Sequence, residues 1–100
     1  MTTITLKKNQ EGTLTGFTAS GHTNFEKRGG DIVCASASGV IQTAVLGLKN
    51  FCELVKFEKT DGYIEINVVP DAGSEIIIKT MLLGLENLEQ QYPKNVKVKK

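Results

Sequence analysis

The chain has 100 residues, 40% of them hydrophobic and 23% charged, with 12 Lys and Arg against 11 Asp and Glu. That length holds one domain around one core, and a net charge of +1 sets up no global field to draw the molecule to nucleic acid or an acidic membrane. Two cysteines and one histidine can neither build a disulfide framework nor supply the four ligands of a structural zinc site, so no metal and no cofactor are expected.

Thr2 to Lys8 alternates with Ile4 and Leu6 on one face, and Thr13 to Ala19 is a second β-branched run. Asn9-Gln10-Glu11-Gly12 between them reads as a hairpin loop, so the two strands pair antiparallel. Residues 20–33 follow neither the helix nor the strand period and carry three glycines, which marks a loop. From Cys34 to Cys52 the apolar positions 34, 37, 41, 44, 48 and 51/52 recur at helical spacing and predict a long helix beginning near Cys34. Gly39 and Gly47 inside it cost about 1 kcal/mol each relative to Ala, which predicts close packing there against another backbone.

Val55–Lys59 and Tyr63–Val69, joined by Thr60-Asp61-Gly62, form a second hairpin. After Pro70 the stripe Ile77, Ile78, Met81, Leu82, Leu85 and Leu88 predicts a second helix, with Asp71 or Ser74 as candidate cap and Pro93 as its end. Val96 and Val98 make a short last strand, and Lys94, Lys97, Lys99 and Lys100 around it read as a solvated edge. The order ββαββαβ predicts an α+β two-layer sandwich, two helices on one face of a mainly antiparallel five-stranded sheet, in a single domain over residues 1–100.

No segment approaches the roughly 18 apolar residues of a membrane span, and no apolar stretch of signal-peptide length follows Met1. The sequence also contains no Asn-x-Ser/Thr acceptor. These observations predict a soluble protein of the reducing cytoplasm, with no membrane partner.

Chemistry concentrates in two residues. Cys34 stands at the start of the predicted helix, where the positive end of the helix dipole favours an anion. A free thiol titrates near 8.5, and making it a useful nucleophile at neutral pH takes about 2 to 3 kcal/mol of anion stabilisation. A helix N-terminus supplies about 0.3 to 2 kcal/mol, so a neighbouring imidazolium is the natural supplement. His22, just after Gly21, is the only one in the chain. The structural alternative is a buried free cysteine and a surface histidine. Cys52 lies on the apolar stripe and reads as core.

Gly21-His22, a polar glycine-bearing loop, and then Asp31-Ile32-Val33-Cys34-Ala35-Ser36-Ala37-Ser38 together resemble the signature of the ribosomal-processing cysteine protease family Prp, a Gly-His followed by a Cys-Ala-x-x-Ser helix start. The likeness spans the whole chain, through the Asp61-Gly62-Tyr63 turn and the Gly84-Leu85 and Tyr92-Pro93 punctuation of the second helix. Ala37 stands where family members often carry a larger β-branched residue.

The resemblance implies a cysteine endopeptidase that removes a short N-terminal extension from a bacterial large-subunit ribosomal protein, the twenty-seventh of its series, during ribosome assembly. It also implies a homodimer. On this reading Cys34 is the nucleophile and His22 the general base, with the backbone N–H groups of Ala35 and Ser36 holding the oxyanion. Asp31 either orients His22 or caps the helix. Ser38, one turn after Cys34, hydrogen-bonds near the thiol, lines the groove, or is simply a small helix residue. Phe25, Lys27, Arg28, Gly29 and Gly30 form a substrate loop that closes over the peptide on a Gly29-Gly30 hinge. Two other classes compete. A non-enzymatic α+β module touching ribosomal RNA or protein lacks the interleaved aromatic and basic residues of a base-stacking surface, so direct nucleic-acid binding is not expected. A thiol redox enzyme lacks a Cys-x-x-Cys pair.

Overall fold

A computed structural model describes residues 1–21 and 32–100. Strands β1 (Thr2–Lys8) and β2 (Leu14–Ser20) form the first hairpin and precede helix α1 (Ile32–Phe51). Strands β3 (Leu54–Thr60) and β4 (Tyr63–Val68) form the second, followed by helix α2 (Ala72–Gln91) and strand β5 (Val96–Lys99). The five-stranded sheet has the order β3-β4-β2-β1-β5. Its pairs are antiparallel except β1 with β5, which runs parallel. The predicted order of elements and the α+β two-layer class therefore hold, with a mixed sheet.

Register explains why one face is apolar. Ile4 lies opposite Ala19 and Leu6 opposite Phe17, while Phe17 and Ala19 face Ile66 and Ile64 on the next strand. The helices cover this face: Ile41, Val45 and Leu48 of α1 and Ile78, Met81 and Leu85 of α2 join one core with it. Each large aliphatic buried there contributes roughly 1.5 to 3 kcal/mol. The other face carries Thr5, Thr18 and Glu65 in adjacent register. Glu65 pairs there with Lys7 and, at 3.3 Å, with Lys56. These two ammonium groups hold the Glu65 carboxyl below its ordinary range. On the edge strand, Val96 is buried while Lys97 and Lys99 are exposed.

Local chemistry sets the boundaries. Gly62 at φ +87° closes the second hairpin, a conformation that favours glycine. Asp71 and Ser74 act together: the Asp71 carboxylate accepts the Ser74 N–H at 2.7 Å and the Ser74 hydroxyl accepts the Asp71 N–H at 3.0 Å, a reciprocal capping box. Pro93 follows the helix C-cap, Tyr92.

Helix α1 is described from Ile32, close to the start expected near Cys34. Two expectations are corrected. A Cβ on Gly39 would meet open space, and one on Gly47 would meet only the Ile77 side chain at 3.6 Å, so neither glycine marks a backbone contact. Finally, α1 is long and apolar enough to cross a membrane by length and composition. Its small residues hide that from a search for large apolar runs, and its inner face belongs to the core.

Candidate active site

Cys34 is the third residue of α1 and is 7% exposed. Helical geometry leaves the amides of the first turn without an intrahelical acceptor. Ile32, Val33 and Cys34 form the first described turn of α1, and the residues directly ahead of them lie outside the described residues. Ala35 and Ser36 follow Cys34 in the same helix, and the Ser36 hydroxyl donates back to the Ile32 carbonyl at 3.0 Å.

The Cys34 thiol donates toward the main-chain carbonyl of Asn95 at 4.0 Å. A tight turn after α2 fixes that carbonyl, with the Asn95 N–H donating to Tyr92 at 2.9 Å. The same oxygen accepts the Thr2 N–H at 2.8 Å. Residues 2, 34 and 95 thus meet at one oxygen. β2 ends at the same corner. Gly21, at φ +85°, donates its N–H to the Gly62 carbonyl at 3.0 Å, and a Cβ there would fall 2.1 Å from the Met1 carbonyl oxygen. Only glycine fits where the chain leaves β2 toward residue 22.

His22, Asp31 and the loop residues Phe25, Lys27, Arg28, Gly29 and Gly30 lie outside the described residues. Ser38 is buried and its hydroxyl accepts from Gln42 Nε2 at 2.8 Å, a bond along its own helix. Cys52 is half-buried against the core just past the C-terminal end of α1. Burial and the nearby Asp71 carboxylate push its thiol above the ordinary value. Among the described residues, no three His, Cys, Asp or Glu side chains gather into a metal site.

An uncharged groove of 670 Å³ runs between the two helices from Ala35 and Ser36, past Val40 and Gly47, to Phe51 and Ile76. Sequence reasoning found neither Asn95 nor Thr2. Asn95 acts through its main chain, 61 residues from Cys34, and no side-chain pattern reports such a contact.

A cysteine at a helix start on an α+β frame is the framework of a thiol-dependent hydrolase. The comparisons give that class a family. Residues 1–97 match the family model for the cysteine protease Prp. The ribosomal processing cysteine protease Prp of Staphylococcus aureus is 31% identical over 98% of this chain and 97% of its own. That of Bacillus subtilis is 28% identical over 98% and 96%. A crystal structure of the S. aureus protease with a covalently linked product peptide superposes with a TM-score of 0.83, at 29% identity, covering 99% of this chain and 98% of that one. The chain belongs to the Prp family and is a cysteine protease.

Proposed function

We propose that this protease removes the N-terminal extension of a bacterial large-subunit ribosomal protein, the twenty-seventh of its series, during ribosome assembly in the cytoplasm. One observation carries the site assignment: of the two thiols, Cys34 alone sits at the N-terminal end of a helix. The substrate class is supported by the relatives, which are ribosomal processing proteases.

Cys34 Sγ attacks the scissile carbonyl carbon while His22 takes the thiol proton. The oxyanion that forms is held by backbone N–H groups at the start of α1. Collapse of the tetrahedral adduct breaks the C–N bond, and His22 returns the proton to the leaving amine. Water, deprotonated by His22, then attacks the thioester, releasing a carboxylate and the free thiol. Asp31 orients His22 or caps α1. Phe25, Lys27 and Arg28 contact the peptide from a loop that closes on Gly29 and Gly30.

The working unit is a homodimer. The outward surface of the helices supports this: Lys49 is the only charge in the twenty residues of α1, and Leu46, Ile76 and Phe51 are 60%, 64% and 81% exposed. An exposed apolar surface of this kind suits a second copy. Sedimentation should give twice the 10.9 kDa chain mass; a monomer at micromolar concentration removes the dimer.

The function is tested with the ribosomal precursor itself. Purified enzyme should shorten the extended form at one N-terminal bond and leave the mature form intact. If the extended precursor survives while unrelated peptides are cut, the substrate assignment fails.

A further inference from the structure

We propose that Thr2 is a positioning residue for Cys34, acting through the Asn95 carbonyl and through its own buried hydroxyl. The inference rests on Cys34 being the nucleophile. Thr2 is 1% exposed, and its Oγ1 is buried with no hydrogen-bond partner among the described residues. A buried hydroxyl without a partner is costly to keep, and an apolar side chain of the same shape would remove that cost. Thr2 alternates with Ile4 and Leu6 and so points to the helix side of the sheet, the layer in which the Cys34 side chain is buried. Its N–H already fixes the carbonyl that the thiol faces, at 2.8 Å and 4.0 Å from that oxygen respectively.

Ionisation reverses what the sulfur needs. The protonated thiol donates to Asn95, but a thiolate only accepts, and the carbonyl oxygen then becomes a repulsive neighbour. The unengaged Thr2 hydroxyl is a side-chain donor at the same corner, available to the sulfur once its proton has gone to the base. Thr2 thereby steadies both states: its amide fixes the acceptor of the neutral thiol, and its hydroxyl rotates to the charged one.

The test is Thr2→Val beside Thr2→Ser, with Cys34→Ala as reference, on the extended precursor. Thr2→Val should lower kcat about tenfold with KM within about twofold, while its Tm stays level or rises. Thr2→Ser should recover kcat to within about threefold of the wild type. A Thr2→Val kcat equal to that of the wild type, with Cys34→Ala inactive, overturns the role of Thr2 and leaves the nucleophile standing. Losses in both Thr2 variants that follow a falling Tm overturn it too. Full cleavage by Cys34→Ala defeats the underlying reading instead.

Discussion

The two ends of α1 each hold a cysteine, and they are chemically opposite. Cys34, in the first described turn, faces the positive end of the helix dipole and has a main-chain carbonyl as partner. Cys52 follows the last turn, where carbonyl ends point outward, and lies near the Asp71 carboxylate that caps α2. One helix therefore offers an anion a favourable end and an unfavourable one. Residue type alone does not make a nucleophile; the end of the helix on which it sits decides.

Substitution should separate the two ends most sharply. Cys34→Ala is expected to cut precursor cleavage by at least about a thousandfold, the scale of losing a covalent nucleophile, whereas Cys52→Ala should stay within about twofold. Equal losses in the two variants would erase the contrast.

Gly21→Ala tests the corner that serves the first end. A Cβ forced against the Met1 carbonyl at φ +85° should destabilise the fold by about 1 to 3 kcal/mol in urea unfolding. It should also lower cleavage beyond what the unfolded fraction accounts for, since residue 22 follows directly. An unchanged unfolding midpoint would show that the corner gives way freely.

The smallest effect concerns pH at the second end. The Cys52 thiol is raised in the folded protein, so as pH climbs the unfolded chain loses this proton first. Its stabilising contribution is complete below the unfolded value and is lost as pH rises through the folded one. Cys52→Ala should therefore weaken less steeply than the wild type between about pH 8 and 10, as read by thermal melts. Asp71→Asn, which keeps a capping oxygen, should speed alkylation of Cys52 in that window. Identical alkaline slopes would show that folding does not raise the Cys52 thiol, and unchanged alkylation in Asp71→Asn would place it outside the influence of Asp71.

Much of this molecule is legible in its sequence wherever side chains carry the signal. Alternation in Ile4-Thr5-Leu6 and Ile64-Glu65-Ile66, the Asp61-Gly62 turn, and the Asp71/Ser74 pair each specify their element locally. The parallel pairing of β5 with β1 is not legible, because four residues with two valines fit either direction. At the site, Cys34 stands out by its place at the start of the helical stripe. The Asn95 carbonyl and the unpartnered Thr2 hydroxyl are products of tertiary folding and leave no mark in composition or spacing.

The central claim, that Cys34 forms the acyl-enzyme, is open to direct observation. Enzyme mixed with extended precursor and quenched in acid before turnover is digested with trypsin, which separates residues 29–49, holding Cys34, from residues 50–56, holding Cys52. Mass spectrometry should find the acyl adduct on Cys34 in the first peptide, while the second keeps its unmodified mass. An adduct on Cys52, or continued cleavage with no adduct on Cys34, would contradict the account.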